Sequence, residues 1–373
     1  MSTKIIKSLL KRTLFKAKKG KKAGFTILEL LVAIVISTFV ILALLDMITD
    51  LLQSERREYG RSETQREMQM AMDFIVNDLR EAAYVYTNEQ INNQRTIGGI
   101  GITSLRANLP FNTKYEPILV FWKPEQINGT SVNINDTSLN SLNCDNFGSA
   151  NADPVNPKRQ ECDQLKIRRR AYSLVVYLQV RNSDDNPDNN RWKGISRIMR
   201  YQLYKYPQNK PDSNLTKSDG YTDPTENSVS FASWPFDSRG VKISSGNINT
   251  SSTAVLVDFL DYPDRTSPGA DPRDNLTVKP SECPTETYVD STGNRREIYN
   301  RIPPSTNPNG FTNPSFMACV RSAINVSGDV SNQDIVLFLR GNPTGKGGIK
   351  VAPLLAIKTQ AVARGVIDKK PAQ

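Results

Sequence analysis

The segment that decides the fold is Lys21–Leu45, KKAGFTILELLVAIVISTFVILALL. Its apolar part begins at Phe25 and has 21 residues, enough for a helix to span about 30 Å of hydrocarbon. Glu29 is the one ionisable residue inside this apolar part. The segment therefore predicts a membrane-spanning helix that carries a single carboxylate.

The net charge of +10 comes almost entirely from the first 24 residues, which hold nine of the 48 Lys and Arg residues and no acidic residue. The rest of the chain has 39 basic and 38 acidic residues, so its body is not basic and nucleic acid is not an expected partner. By the positive-inside rule, the cations hold the N-terminus in the cytoplasm. We therefore expect a single-pass protein of the bacterial inner membrane with an exported body.

The composition also limits the chemistry. The chain has no histidine, which excludes Ser-His-Asp and Cys-His catalysis, a histidine general base and histidine-ligated metals. A mean hydropathy of −0.46 excludes a multi-pass membrane protein. The expected protein is not an enzyme and has no cofactor; an exported hydrolase that uses two carboxylates is a distant alternative.

Three interpretations of the apolar segment compete. A cleaved secretory signal needs an A-x-A pattern at the end of the segment. The chain reads Ala43-Leu44-Leu45-Asp46 there, which is a poor cleavage site. A simple signal anchor leaves Glu29 unexplained, because a carboxylate near the membrane centre costs about 2.5 kcal/mol or more. The third interpretation explains the whole stretch through a family resemblance.

The resemblance is to the N-terminal signature of type IV pilins and type II secretion pseudopilins, and it lies in Ala23-Gly24-Phe25-Thr26-Ile27-Leu28-Glu29 and the following Leu30-Leu31-Val32-Ala33. It implies that a membrane aspartyl peptidase, the prepilin peptidase, cuts between Gly24 and Phe25 and methylates the new amine of Phe25. Glu29 is then the fifth residue of the mature chain. Two departures are the order Ile27-Leu28, where Leu-Ile is more usual, and a long leader.

Physical chemistry supports an assembly role for Glu29. In lipid, an ammonium and a carboxylate are each costly alone and less costly together. The Phe25 ammonium would lie one helical turn from Glu29 of its own helix and could also meet Glu29 of a neighbouring subunit. The processed helix is therefore expected to prefer a polymer to lipid.

Four segments are expected along the chain: a cleaved leader (1–24), a transmembrane or filament-core helix (25–45), an amphipathic continuation (46–86) and an exported β-rich head (87–373). A helix from Phe25 to Ala83 would be on the order of 90 Å long. Its second half has apolar residues at spacings of three and four, namely Met68, Met72, Ile75, Leu79 and Ala83.

The fold class expected for the chain is α+β, with the long helix packed on an antiparallel β-sheet that carries long loop insertions. Met199, Tyr201 and Leu203 are expected to face inward, and Arg200 and Gln202 to face water. The loop-rich insertions are expected at 123–164, 208–249 and 261–314. The predicted strands are Pro117–Trp122, Tyr172–Val180, Ile195–Tyr206, Ala254–Leu260 and Asp334–Arg340.

Four cysteines allow three pairings. An exported body permits disulfides, and the local pairing Cys144–Cys162 with Cys283–Cys319 would close two loop-rich insertions. Each bridge would contribute about 3 kcal/mol in the loop-entropy model. A zinc site is the alternative, although the chain has neither histidine nor a C-x-x-C pair.

Two further segments could bind ligands. Asp184, Asn186 and Asp188 alternate as oxygen donors typical of calcium loops, but a solvated hairpin loop explains them as well. Arg168, Arg169 and Arg170 form a basic run that could bind DNA or an acidic polysaccharide. The alternative for this run is an exposed strand start that meets acidic loops.

The expected function is that of a pseudopilin or minor pilin, a structural subunit of a type IV pilus-like filament in the periplasm or at the cell surface. Its partners would be the prepilin peptidase, other pilins or pseudopilins, the membrane, the assembly platform and a separate cytoplasmic ATPase. The strands 172–180 and 195–206 look like the larger minor pilins and J-type pseudopilins, and the size and leader resemble cyanobacterial pseudopilins of hormogonium polysaccharide secretion. The rival is a membrane-anchored binding or adhesion protein that does not polymerise.

Overall fold

The computed structural model describes residues 24–127, 142–152, 156–185, 191–226, 228–243, 246–249, 252–262, 283–289, 293, 295–304, 315–322, 332–349 and 354–363. The predicted leader, apart from Gly24, lies outside these residues. The chain divides into two compact units, one up to Glu55 and one from Arg56 onward.

One continuous helix, α1, runs over Ile27–Arg80. Neither proline nor a second glycine interrupts its 54 residues, and Gly60 contacts the side chain of Ile349, where a larger residue would clash. The helix ends before the predicted Ala83 because the Ala83 N–H donates to the Trp122 carbonyl at 2.7 Å. The next residues turn into a strand, so the helical pattern predicted up to Tyr86 is wrong at its C-terminal end.

In the described residues, the second unit is built around a nine-stranded antiparallel sheet. The strands of this unit are β1 Tyr84–Val85, β2 Arg95–Ile97, β3 Ile100–Ile102, β4 Tyr115–Gln126, β5 Arg170–Arg181, β6 Ser196–Leu203, β7 Thr253–Leu260, β8 Thr287–Val289, β9 Arg295–Glu297, β10 Tyr299–Ile302, β11 Phe316–Arg321, β12 Gln333–Gly341 and β13 Leu355–Ala363. The sheet has the order β1-β4-β5-β6-β7-β12-β11-β10, with β13 paired to β12, and two small hairpins, β2-β3 and β8-β9, lie outside it. Short helices are α2 Asn88–Asn92, α3 Pro157–Arg168 and α4 Asn182–Asp185.

The second half of α1 packs on this sheet and forms the main core with it. Its buried apolar residues recur every three or four positions, as a helix with one buried face requires, and Gly341 of β12 lets Met68 approach the sheet closely. The buried apolar residues of α1 are Met68, Ala71, Met72, Ile75, Val76 and Leu79. The predicted α+β class, a long helix packed on an antiparallel sheet, is therefore confirmed.

β1 is joined to β12 by a contact between residues far apart in sequence. The Gln333 side chain receives the Val85 N–H at 2.9 Å and donates its Nε2 to the Val85 carbonyl at 2.8 Å, across 248 positions. The amide thus replaces a neighbouring strand for Val85 and satisfies both of its backbone groups. The first strand of the sheet is held by the start of β12.

All five predicted strands exist, and Tyr201 and Leu203 of β6 are buried as expected, but the prediction that Arg200 and Gln202 face water is wrong. Gln202 is buried, and its Nε2 donates to Ser173 at 2.9 Å and to Glu125 at 3.1 Å. Arg200 is half-buried and reaches α1. Alternation predicts one wet face only where one face is uncovered, whereas helix and loops cover both faces here: Arg200 meets Asp78 of α1, and Tyr201 donates to the Asn249 carbonyl.

The predicted loop insertions contain regular structure. α3 begins inside the predicted loop 123–164 and extends beyond it to Arg168, and β8, β9 and β10 lie inside the predicted loop 261–314. The helix has local start signals: Asn156 caps it by accepting from the Lys158 N–H at 2.9 Å, and Pro157 is its first residue. Only Cys162 and Leu165 of α3 are buried, which is too few for its apolar periodicity to show.

Candidate assembly and processing site

The segment around the expected cleavage position is the start of α1. Gly24, Phe25 and Thr26 precede the helix. Glu29 accepts from the backbone N–H and the hydroxyl of Thr26, and its own N–H donates to the Thr26 hydroxyl, each at 3.3 Å. These contacts form a capping box, with Thr26 as N-cap and Glu29 three residues later. The T-x-x-E spacing was visible in the sequence, but its capping role was not predicted.

The apolar first half of α1 is exposed on all sides. Phe25 is 81% exposed and Ile27 89% exposed, and the large apolar residues as far as Leu52 are exposed as well. Ser37 and Thr38 donate their hydroxyls to the Ile34 carbonyl, which satisfies both within the helix. An apolar surface of this size needs lipid or another protein around it.

Within the described residues, α1 is the one helix that is long and apolar enough to cross a membrane. A signal sequence near an N-terminus would meet the same criterion, so length and composition alone do not separate anchor from signal. The carboxylate of Glu29, three residues into the helix, is the feature that a signal or a plain anchor does not require.

The second half of α1 carries a buried carboxylate, Asp78, that the sequence analysis missed. Asp78 accepts from Lys123 Nζ at 2.9 Å, from Arg200 Nε at 2.8 Å and from the Tyr177 hydroxyl at 2.7 Å. Burial alone would raise the pKa of Asp78, but Arg200, Tyr177 and Lys123 lower it below its usual value. The helix is therefore tied to β4, β5 and β6 by a charged group.

The structure joins the cysteines in the expected local pairs. Cys144 and Cys162 have a Cα–Cα distance of 5.7 Å, and Cys283 and Cys319 one of 5.5 Å. The first pair connects the 3₁₀ helix Cys144–Phe147 to α3. Both distances suit a disulfide.

The basic run lies at a helix-to-strand junction rather than at a simple strand start. Arg168 is the last residue of α3, Arg169 adopts a left-handed conformation (φ +53°) that ends the helix, and Arg170 opens β5. All three are exposed. The prediction that the run leads directly into a strand is therefore wrong for its first part, because Lys166–Arg168 complete the last helical turn.

The calcium candidates are only partly covered. Asn186 and Asp188 lie outside the described residues, and Asp184 belongs to α4, with a side chain outside the description as well. In the part of the chain that the structure describes, no three His, Cys, Asp or Glu side chains cluster in a way that could hold a metal ion. The calcium prediction stays a prediction.

The fold and the N-terminal geometry define a class of α+β protein. Its head packs on the second half of a long helix. The first half of that helix is an apolar, membrane-type segment with a carboxylate in the capping box at its start. Residues 19–45 match the prokaryotic N-terminal methylation motif, the signature of prepilin-processed type IV pilins and pseudopilins. The resemblance seen in the sequence is thereby confirmed. No curated protein matches the chain, and no solved structure does.

Proposed function

We propose that this protein is a pseudopilin or minor pilin, a structural subunit that enters a type IV pilus-like filament through its N-terminal helix. The observation that carries the proposal is the match of residues 19–45 to the methylation motif on a helix whose apolar first half is exposed on every side. The motif implies processing by a prepilin peptidase and association with other pilins. A structural subunit needs no catalytic site.

In this proposal the four expected segments keep their roles. Residues 1–24 form the leader, Phe25 becomes the methylated N-terminus, residues 25–45 enter the membrane and then the filament core, residues 46–86 carry the helix into the head, and residues 87–373 are exported. The large head primes or caps the filament, or contacts exported cargo. The filament serves motility, secretion or polysaccharide export, driven by a cytoplasmic ATPase through the assembly platform.

Processing is the test. The full-length protein is co-expressed with an active prepilin peptidase or with the same enzyme inactivated. The N-terminus of the purified chain is sequenced, and the mass of the chain is measured by mass spectrometry. We expect a chain that begins at Phe25 and is heavier by one methyl group only with the active enzyme. Gly24→Val should block the cut, because it replaces the glycine that the motif places immediately before it, whereas Gly20→Val should leave it intact.

A chain that begins at Met1 in the presence of the active peptidase would overturn the proposal and leave the rival, a membrane-anchored binding protein. Processing without entry into filaments would also favour the rival. Equal cleavage of Gly24→Val and Gly20→Val would show that the cut does not follow the motif.

A further inference from the structure

The second unit contains a polar cavity that the filament function does not use. Its volume is about 640 Å³, within the range of sites that hold small ligands. α3 forms one wall, the start of β5 another, and the segments 215–217 and 223–226 the rest. All of these residues belong to the described part of the second unit, and none of them is a residue of α1.

The floor of the cavity is rigid. Lys205, which is 6% exposed, lies within 2.9 Å of the carboxylates of Glu161, Asp223 and Glu226. Burial alone would lower the pKa of Lys205, but these three carboxylates raise it above its usual value. Below them, Cys162, Leu165, Tyr206 and Leu215 form a small hydrophobic core, and the Cys144–Cys162 bridge fixes α3 to it.

The mouth of the cavity is positive. Five Lys or Arg side chains line the cavity against three carboxylates. Arg168 and Arg170 both line it, while Arg169 between them does not, because its left-handed conformation turns the chain. Among the described residues, no carboxylate pairs with the Arg168 or Arg170 guanidinium. Two guanidinium groups at one mouth suit a planar anionic group such as a carboxylate.

The interior favours a ligand with hydroxyl groups. Glu226 and Lys217 keep 35% and 30% of their side-chain surface exposed while they pair with each other at 2.6 Å. They therefore offer an acceptor and a donor side by side, as sugar hydroxyls require. An acidic peptide could place a carboxylate at the two arginines, but its acidic side chains carry no hydroxyls for Glu226 and Lys217 to bind.

We propose that this cavity binds an acidic oligosaccharide, with the carboxylate of the sugar at Arg168 and Arg170 and its hydroxyls towards Glu226 and Lys217. The inference does not rest on filament assembly, because binding is a property of the isolated chain. It gives the basic run, which the sequence left between polyanion binding and plain surface charge, a defined site.

The experiment is calorimetric titration of the full chain in a sugar-free zwitterionic detergent. The probes are trigalacturonate, its methyl ester, which keeps the hydroxyls and loses the charge, and end-blocked triglutamate, which keeps the charge and loses the hydroxyls. We expect trigalacturonate to bind at least about tenfold more tightly than either control, since each charged hydrogen bond contributes on the order of one decade in affinity.

Two double variants each remove two positive charges from the segment 166–170. Arg168→Gln with Arg170→Gln should weaken trigalacturonate binding at least about tenfold. Lys166→Gln with Arg169→Gln, which leaves the cavity mouth intact, should change it by less than about twofold. All four side chains are exposed, so both variants should unfold at the same denaturant concentration as the wild type.

Equal weakening by the two double variants would show diffuse charge attraction and overturn the site. Absence of trigalacturonate binding, or equally tight binding of its methyl ester, would overturn the ligand class. Tighter binding of the end-blocked triglutamate would assign the cavity to an acidic peptide instead. None of these outcomes bears on whether the chain is processed at Gly24.

Discussion

The two halves of α1 are one uninterrupted helix, yet they meet opposite surroundings. From Ile27 to Leu52 the large apolar residues are exposed; from Thr64 to Leu79 one face is buried under the sheet. A helix with a single buried face obtains its environment from its own chain, whereas a helix that is apolar all round requires lipid or other subunits. Helix formation is thus common to both halves, and their partners are not.

The two halves also differ in the partners of one carboxylate in each, Glu29 in the first half and Asp78 in the second. Asp78 is surrounded by Lys123, Arg200 and Tyr177. The hydrogen bonds of Glu29 in the described structure are to Thr26, one turn away. The head provides cations for Asp78, whereas in our proposal the cation for Glu29 comes from a processed N-terminus. The following substitutions test this difference.

The largest effect on assembly is expected at Glu29. Glu29→Ala should leave membrane insertion intact but lower incorporation into filaments by about tenfold or more, because the Phe25 ammonium would be buried without a counter-charge. The measurement is the fraction of the protein in sheared filaments against the fraction in membranes. Glu55→Ala, an exposed acid on the same helix, is the control and should assemble normally. Normal co-assembly of Glu29→Ala would refute the assembly role.

Asp78 should matter for stability and not for assembly chemistry. Asp78→Asn leaves Arg200 without its carboxylate, whereas Lys123 keeps Glu81 and Glu125. The free energy of unfolding of the head should therefore fall by about 3 kcal/mol. Asp73→Asn, five residues earlier and exposed, should change it by less than about 0.5 kcal/mol. All three tryptophans lie in the head, at 122, 192 and 234, so their fluorescence during denaturation reports on this unit.

Asp78→Asn should also change how the stability of the head depends on pH in acid. The folded pKa of Asp78 lies below its unfolded value of about 3.9. Such a group stabilises the folded state above its unfolded pKa, and the contribution is lost as pH falls through the folded pKa. The wild-type head should therefore lose stability below about pH 4 more steeply than Asp78→Asn. Parallel curves would show that Asp78 is not held ionised by its neighbours.

The smallest of these contrasts uses two isoleucines of α1. Ile75 is fully buried and Ile36 is 58% exposed. Ile75→Ala should lower the free energy of unfolding of the head by about 2–4 kcal/mol, because it leaves a cavity. Ile36→Ala should alter it by less than about 0.5 kcal/mol. A comparable loss at Ile36 would mean that the first half is also stabilised by the head.

What the sequence predicted well is what neighbouring residues determine. The apolar run, the spacing of Met68, Met72, Ile75 and Leu79, and the positions of the five strands are local patterns, and they were enough for the α+β class. The motif around Gly24, Phe25 and Glu29 is local too. The helix α3 was missed although Asn156 and Pro157 mark its start, because a composition rich in Asn, Asp and Pro was read as a loop.

What the sequence did not predict depends on residues far apart along the chain. Asp78 was one charge among many on a helix, and its partners come 45 and 122 positions later. Gln202 was assigned to water because alternation says nothing about what covers the second face of a sheet. Arg168 and Arg170 line the cavity and Arg169 does not, which depends on the left-handed backbone conformation of Arg169. The sequence does not indicate that conformation, because non-glycine residues rarely adopt it.

The bond between Gln333 and Val85 has a consequence for the order of events during biogenesis. In an exported chain anchored by its first helix, residues emerge in sequence order, so Val85 crosses early and Gln333 waits for almost all of the polypeptide. Contacts between such distant positions form slowly. Until then Val85 can pair with β4 on one side, but its backbone groups on the other side have no partner from the chain, so this edge of the sheet is completed last.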